Sequence, residues 1–343
     1  MGYRISIVIA ILLAISPVIH SIDFEDYDED VAALLREYQN QSNPDQSYTP
    51  SILSYSTAKT SKTIVDFERG IIYMNASTPE TLRDAIIDVV LTQIDPSVID
   101  AQTAIDFGLI NEETNKPFFW GQVLDHKGKP ISSRRPALDF ANFLLRKKTF
   151  SDGRFEVTIR MIDAHKKIAG AKYVSFVKAA CLEYSVSSSL VMAIMETESS
   201  FNPLARSRSN ALGLMQVKAN TAGRDYFSLI KGYKHTPSSK FLYSPKNNIE
   251  VATGYLNILS SRYLRGIEDP KKLEYAMISS YNGGAGNLWK SLDKSGNKTK
   301  ALKRINQMST KQFYWFLTNR HIRQETREYL KKVNDRKSKY TLI

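Results

Sequence analysis

The alternation of apolar and polar residues predicts strands in the first part of the chain. Residues 63–67 and 71–74 are two short, largely apolar runs, and the turn between them ends in Gly70, which favours a β-hairpin with glycine in the left-handed conformation. Residues 118–124 and 155–161 have the pattern of two further strands. Thr78 before Pro79 is typical of a helix start, because threonine caps and proline fits the first helical position.

After His165 the spacing of apolar residues becomes helical, and the strand pattern does not return. Eight segments are predicted as helices: residues 170–184, 186–200, 219–231, 247–265, 271–281, 300–306, 309–318 and 321–335. The fold class is therefore α+β, with a mixed N-terminal domain followed by an all-helical one. The boundary is expected near residues 163–168.

The first residues have the pattern of a secretory leader. Arg4 precedes an apolar run over residues 5–19, and acidic residues follow Ser21 closely. We therefore expect a signal peptide, or an uncleaved anchor, over residues 1–21. An accessory α+β domain is expected over 22–163, with at most one helix, around 31–38, in its polar beginning, and a catalytic domain is expected over 164–343.

Charge is distributed unevenly along the chain, which is acidic in its N-terminal part and basic in its C-terminal part. The chain carries 47 Lys and Arg against 35 Asp and Glu, a formal charge of +12. The first 100 residues have a net charge of −9 and residues 201–343 one of +18, which predicts that an anionic partner binds the back half. A single cysteine, scattered histidines and the lack of a phosphate-loop motif argue against a disulfide, a metal centre and a nucleotide-driven enzyme.

One helical segment carries the candidate chemistry. Glu198 lies near its end and shares a helix face with Val191, Ile194 and Met195, whereas Glu196 lies about 200° away. A carboxyl group on an apolar face loses hydration, which raises its pKa and suits a general acid. The position alone leaves open that Glu198 is an exposed glutamate at a helix end.

The strings that follow Glu198 resemble those of the lysozyme-like lytic transglycosylases, which cleave peptidoglycan glycan strands. They are ESSFNP at residues 198–203, GLMQ at 213–216, YNGG at 281–284 and ETREYLKKV at 325–333. Residues 117–125 and 139–145 resemble the N-terminal domain of a membrane-bound, lipid-anchored member of that family. The resemblance covers the chain from about residue 60.

The resemblance implies an all-helical, lysozyme-like catalytic domain that needs no cofactor and no metal. It makes Glu198 the catalytic acid and base for the bond between N-acetylmuramic acid and N-acetylglucosamine. The acetamido group of the substrate would assist, and 1,6-anhydromuramoyl ends would form. The substrate-binding residues that it implies are Ser207, Met215, Gln216, Tyr281, Asn282 and Tyr329.

Most of these positions also have an ordinary structural interpretation. Ser207 could be a turn hydroxyl that bonds local backbone, and Gln216 a buried amide paired with backbone. Met215 could fill the core, and Tyr329 could be a half-buried structural tyrosine. A phosphate loop is a competing interpretation of residues 282–286, but no Lys-Ser or Lys-Thr pair follows.

Three functions remain distinct at this point: a lytic transglycosylase, a hydrolytic goose-type lysozyme that delivers water, and a non-catalytic peptidoglycan-binding module. Peptidoglycan is the expected partner, and nucleic acid is not expected. The location is expected to be periplasmic, with a membrane tether only through the N-terminus. No cysteine lies near residues 10–25, so the lipid anchor of the family member is not expected. The N-terminal domain carries no reactive constellation, and we expect it to position the catalytic domain or a glycan strand.

Overall fold

The computed structural model describes residues 49–57, 60–92 and 116–342. The predicted leader at residues 1–21 and the predicted helix at 31–38 lie outside these residues. No helix in the described part of the chain combines the length and apolarity that a membrane span requires.

The N-terminal part is built on a five-stranded antiparallel sheet. Its strands have the spatial order β1-β2-β3-β5-β4. They are β1 (Ile52–Thr57), β2 (Ser61–Asp66), β3 (Ile71–Ala76), β4 (Thr149–Ser151) and β5 (Arg154–Arg160). The sequence predicted β2, β3 and β5 but placed the first structured residue at Ser61, and so missed the edge strand β1.

The turn between β2 and β3 has the conformation that the sequence predicted. Gly70 has a φ of +69°, the left-handed region that side chains other than glycine rarely adopt. A Cβ at this position would lie 2.8 Å from Cε1 of His165. The imidazole is itself held between two carbonyls, with ring nitrogens 2.9 Å from the oxygen of Ile162 and 3.1 Å from that of Phe67. The turn is therefore fixed against the first residue of the helical part.

Two helices cover one face of the sheet and form a separate apolar core with it. They are α1 (Pro79–Leu91) and α2 (Arg134–Leu145). Thr78 caps α1 as predicted, because its side chain accepts a hydrogen bond from the Thr81 backbone. The sequence did not predict α2.

The predicted strand at residues 118–124 is wrong. The structure has tight turns there, with two isolated bridges, between Trp120 and Val123 and between Leu124 and Pro130. Gly121 has a φ of +74°, and the Gln122 side-chain amide donates to the Phe118 carbonyl at 2.9 Å, so the chain curls back on itself. The apolar residues that suggested a strand pack instead as an aromatic cluster of Phe67, Phe118 and Phe119.

The rest of the described chain is helical, apart from a small hairpin of β6 (Ala211–Leu212) and β7 (Val217–Lys218). Residues 219–231 form one helical segment with π-helical turns at Ala219–Gly223 and Phe227–Lys231. The helices are α3 (His165–Ala171), α4 (Val174–Tyr184), α5 (Ser188–Ser199), α6 (Ser239–Tyr243), α7 (Pro245–Ile258), α8 (Pro270–Gly283), α9 (Ala285–Leu292), α10 (Lys298–Gln307), α11 (Thr310–Arg320) and α12 (Gln324–Lys337).

The α+β fold class is confirmed: a region with a sheet is followed by a helical domain with its own core. The eight predicted helical segments all contain helix, whereas α6 and α9 were missed because each is short and follows a polar or glycine-rich stretch. The sheet ends at Arg160 and α3 begins at His165, so the change from strands to helices falls at residues 161–164, whereas the domain boundary near 163–168 stays a prediction.

Gly70→Ala tests whether the contact between the hairpin turn and His165 is tight. We expect the free energy of unfolding to fall by about 2–4 kcal/mol, from left-handed strain and from displacement of a pinned imidazole. Gly128→Ala is the matched control, since Gly128 has a φ of +73° but a Cβ there would meet no atom within 4 Å. Urea unfolding of both variants measures the difference, and equal losses would show that His165 yields freely.

Candidate active site

The helix that carries Glu198 is held by its own apolar face. The side chains of Leu190 to Met195 in α5 are at most 2% exposed, so the helix runs through the core of the helical domain. It ends at Ser200, with a φ of +51°, and Phe201 follows with a φ of +66°. Two successive left-handed residues that are not glycine turn the chain sharply, and they persist because Phe201 is fully buried against Gly170.

Glu198 lies in the last turn of α5, half-buried, and its carboxylate has one specific partner. The Tyr329 hydroxyl of α12 donates a hydrogen bond to Oε1 of Glu198 at 2.6 Å. Burial raises the pKa of Glu198 to about 7, and the charge of Glu325 acts in the same direction. The Tyr329 hydrogen bond and the charge of Lys218 oppose that rise in pKa. The carboxyl group is therefore poised to give and take a proton near neutral pH, as the helix position predicted.

Tyr281 and Tyr329 are the two tyrosines whose phenol groups interact with Glu198. Burial raises the pKa of both phenols well above their ordinary value, so both remain protonated donors. The Tyr281 hydroxyl donates to the carbonyl of Met215 at 2.7 Å. That bond joins α8 to the loop that contains the GLMQ string.

Three of the predicted substrate-binding residues lie in the loop after α5, and their contacts are local. The Ser207 hydroxyl accepts from the Ala211 backbone at 3.0 Å, as a turn hydroxyl does. Met215 has no exposed surface, which favours its core-filling interpretation. The Gln216 amide donates to the carbonyls of Ala205 and Gly213, both at 3.0 Å.

Gln216 nevertheless keeps one unused polar atom. Its Oε1 is buried and accepts no hydrogen bond from the described residues. The backbone of Gln216 is left-handed, with a φ of +48°, which an unbranched polar residue adopts only under constraint. Gln216 thus fits the structural interpretation through its nitrogen, and its Oε1 is a buried acceptor without a hydrogen bond from the described residues.

Asn282 links the glycine-rich turn after α8 to the last helix. Its amide nitrogen donates to Glu325 at 2.9 Å, and its oxygen accepts from the Thr326 hydroxyl at 2.6 Å. Gly283 packs so closely on Thr326 that a Cβ would lie 2.7 Å from its hydroxyl oxygen. The YNGG and ETREYLKKV strings, which are separated by 40 residues in the sequence, therefore meet in space.

Asn248, in α7, was missed by sequence analysis although it fixes the GLMQ loop. Its side chain accepts from the backbone of Met215 at 2.8 Å and donates to the carbonyls of Leu212 and Leu242 at 2.8 and 2.7 Å. Lys218 and Glu325, whose charges act on Glu198, were missed as well. An Asn within a helix and charged residues outside the family strings or within a charged helix carry no pattern that the sequence alone could have revealed.

A metal centre is not formed by the described residues. Within residues 49–57, 60–92 and 116–342, His, Cys, Asp and Glu side chains form no group of three that could hold a metal ion. Cys181 is buried in α4, where it packs in the apolar core.

Two family models match adjacent parts of the chain. The transglycosylase SLT domain matches residues 175–303, and the N-terminal domain of membrane-bound lytic murein transglycosylase C matches residues 31–172. The first match contains Glu198, the GLMQ loop and the YNGG turn, and the second contains the described sheet.

Curated relatives extend the similarity over most of the chain. Membrane-bound lytic murein transglycosylase C of Edwardsiella ictaluri is 41% identical over 301 residues, which cover 85% of this chain and 82% of the relative. The protein of that name from Salmonella typhimurium is 41% identical over 297 residues, covering 84% and 81%.

Among solved structures, an inactive mutant of lytic transglycosylase Slt from Pseudomonas aeruginosa aligns with a TM-score of 0.37 and 22% identity. That alignment covers 48% of this chain and 23% of the other. The 70 kDa soluble lytic transglycosylase of Escherichia coli aligns with the same TM-score and 24% identity, over the same shares of both chains.

The fold and the two family matches define a lytic transglycosylase with an SLT-type catalytic domain. Within that class, the chain belongs to the membrane-bound lytic murein transglycosylase C family.

Tyr329→Phe tests the hydrogen bond to Glu198. Because that bond lowers the pKa of Glu198, its loss should raise the pKa, and the carboxyl group should remain protonated to higher pH. We expect the alkaline limb of the pH profile of kcat/KM to move to higher pH, and kcat to fall about tenfold to a hundredfold. Turbidity loss of murein sacculi across the pH range measures both. An unmoved alkaline limb would contradict the effect of the Tyr329 hydrogen bond on the pKa of Glu198.

Glu198→Gln should stabilise the fold in a pH-dependent way. The pKa of Glu198 is about 7 in the folded state against an ordinary value of 4.5, so its stabilising contribution is complete below pH 4.5 and is lost as the pH rises through 7. We expect the variant to exceed the wild type by about 1–3 kcal/mol of unfolding free energy at high pH, and by nothing at low pH. Urea unfolding at the two extremes checks this, and a difference independent of pH would refute it.

Proposed function

We propose that this chain cleaves the β-1,4 bond between N-acetylmuramic acid and N-acetylglucosamine in peptidoglycan and leaves 1,6-anhydromuramoyl ends. The observation that carries the proposal is the half-buried Glu198 carboxyl group, with a pKa of about 7 and a tyrosine hydroxyl on Oε1. Family membership supplies the reaction class, and this geometry supplies an acid that can also serve as a base.

Glu325, whose charge acts on Glu198, and the next two acids along the chain, Asp225 and Glu250, have other partners, which supports a mechanism with a single catalytic acid. Glu325 pairs with Arg323 at 3.2 Å and accepts from Asn282. Glu250 accepts hydrogen bonds from two tyrosines and Lys231. Asp225 accepts from Tyr263 at 2.8 Å. Ordinary glycosidases place a second free carboxylate across the scissile bond, and none of these is free to act in that way.

The substrate then provides the second reactive group. Glu198 protonates the glycosidic oxygen, the bond to the muramoyl anomeric carbon breaks, and the acetamido carbonyl oxygen bonds to that carbon as an oxazolinium. Glu198, now a carboxylate, takes the proton from the muramoyl 6-hydroxyl, whose oxygen attacks the anomeric carbon and displaces the acetamido oxygen. The glutamate is protonated again, and no water is consumed.

The proposed substrate-binding residues differ in whether their polar atoms already have partners within the protein. Gln216 has a buried Oε1 without a hydrogen bond from the described residues, which the loop must expose before it can accept from an acetamido N–H. Tyr281 and Tyr329 line the acid, and Asn282 holds the glycine-rich turn in place. Ser207 and Met215 contribute by shaping the loop, since their own contacts are internal.

We assign residues 22–163 to an accessory domain and residues 164–343 to the catalytic domain, and we place the protein in the periplasm. The net charge of +18 over residues 201–343 supports peptidoglycan as the partner, because its lactyl and peptide carboxylates are negative. The family relatives are named membrane-bound, which supports a location in the cell envelope.

Glu198→Gln tests the function directly. Purified wild type acting on murein sacculi should release muropeptides with anhydromuramoyl ends, and the variant should lose at least about a thousandfold in rate. Glu328→Gln, an exposed acid on α12, is the control and should keep full activity. Mass spectrometry of the products decides the outcome: reducing ends would identify a hydrolytic lysozyme, and binding without turnover would identify a peptidoglycan-binding module.

A further inference from the structure

Behind the catalytic helix lies a cluster of charges that the proposed mechanism does not use. It joins the hairpin turn of the sheet to both helices that form the Glu198–Tyr329 pair. We call it the Glu196 network, and its members are Glu68, Lys166, Glu196, Ser200, Arg336, Lys339 and Tyr340.

Glu196 is the buried centre of the network. The residue has no exposed surface, yet it carries a carboxylate, which is costly to bury unless it is paired and hydrogen-bonded. Lys339 and the Tyr340 hydroxyl donate to it at 2.8 and 2.7 Å. Lys166 and Arg336 lie 3.8 and 3.6 Å from Oε1. Glu196 therefore depends on groups from α3 and from the last helical turns of the chain.

Arg336 connects three parts of the structure. Its Nη1 donates to the backbone carbonyl of Glu196 at 2.8 Å, in the last turn of α5, where the same carbonyl accepts from the Ser200 backbone at 3.1 Å. Its Nη2 donates to Oε1 of Glu68 at 2.8 Å. One guanidinium thus ties α12 both to the end of the catalytic helix and to the sheet.

Glu68, in the turn between β2 and β3, receives two further donors. Lys166 donates to Oε1 at 2.9 Å, and the Ser200 hydroxyl donates to Oε2. Burial by itself would raise the pKa of Glu68, but the hydrogen bonds from Ser200 and Lys166 and the charge of Arg336 outweigh it and lower the pKa. The carboxylate is therefore charged at neutral pH and serves as a common anchor.

The turn that presents Glu68 is rigid. Asp66, 2% exposed, accepts from the backbones of Glu68 and Arg69, both at 2.9 Å. The contact of Gly70 with the pinned His165 ring fixes the other end of the turn. Glu68 therefore cannot follow its partners if they move, and its position constrains theirs.

Two partners of Glu68, Ser200 and Arg336, lie on the same helices as Glu198 and Tyr329. Ser200 lies two residues after Glu198, at the end of α5. Arg336 lies seven residues after Tyr329, which is two turns of α12 and the same helix face. A shift of either helix end changes the distance between Glu198 and Tyr329.

We propose that Glu68 is a positioning residue for the Glu198–Tyr329 pair, which it holds in register by anchoring Ser200 of the catalytic helix and Arg336 of the last helix. The inference rests on the proposed function. It gives the sheet region a role in catalysis without any contact with the substrate.

Glu68→Gln is the first test, because it removes the charge and keeps the size of the side chain. We expect kcat on sacculi to fall about tenfold while KM stays within about twofold, since the groups that touch the substrate are intact. Glu68→Asp keeps the charge but is one methylene too short to reach all its donors, and should give an intermediate loss. The two variants together keep the test valid if one of them folds poorly, which urea unfolding reveals.

A double-mutant cycle with Tyr329→Phe separates positioning from general stability. If Glu68 acts through the Glu198–Tyr329 bond, Glu68→Gln should add little to the loss of kcat in Tyr329→Phe. A merely structural role would give losses that multiply.

The pH profile is a second independent readout. The groups that face Glu198 are Tyr329 and Glu325 from α12, Tyr281 from α8 and Lys218 from β7. The Tyr329 hydrogen bond lowers the pKa of Glu198, so weakening it should raise that pKa. The alkaline limb of kcat/KM in Glu68→Gln should therefore move to higher pH, as it should in Tyr329→Phe. An unchanged limb would contradict the proposal.

The matched control is Glu274→Gln, which breaks the ion pair between Glu274 of α8 and Lys337 of α12 and leaves the Glu196 network intact. It should lower stability with kcat and pH profile unchanged. If wild type yields no anhydromuramoyl ends, the proposed function has failed. If wild type yields them and Glu68→Gln matches Glu274→Gln, only the positioning role is overturned.

Discussion

The fully buried carboxylate of Glu196 is the constraint around which the catalytic end of the molecule is arranged. An anion without exposed surface needs several cations and hydroxyls at fixed distances, and they come from distant parts of the chain. Those partners bring the last helix against the helix that carries Glu198. The packing that pairs the carboxylate of Glu196 thereby places the Tyr329 hydroxyl on Glu198.

Two glutamates, two residues apart on one helix, have opposite surroundings. The Glu196 side chain is enclosed by lysines, an arginine and a tyrosine hydroxyl, all of which pair with its carboxylate. Glu198 is half-buried with a single tyrosine donor, and burial raises its pKa to about 7. The two glutamates thus differ because their surroundings differ, which is how proteins assign different tasks to neighbouring carboxyl groups.

The sequence predicted local features well and long-range ones poorly. The β2–β3 hairpin, the Thr78 cap and the burial of Glu198 follow from neighbours within a turn or two of the chain. The strand predicted at residues 118–124 failed because a cluster of phenylalanines has the apolar character of a strand. The loop anchor Asn248 and the ion pair of Glu68 with Arg336 join residues far apart in sequence, and a single sequence carries no signal for such pairs.

The contact between Glu68 and Arg336 spans 268 residues, and this separation has a consequence for synthesis. A ribosome must complete the last helix before the hairpin turn can find its arginine. Until then Tyr329, Lys339 and Tyr340 are missing, so a chain that stops before the last helix lacks the hydrogen bond to Glu198 and most partners of Glu196. Long-range closure also makes folding slow compared with local helix formation. In this lytic transglycosylase the Glu198–Tyr329 pair thus stays unassembled until the last helix has been made.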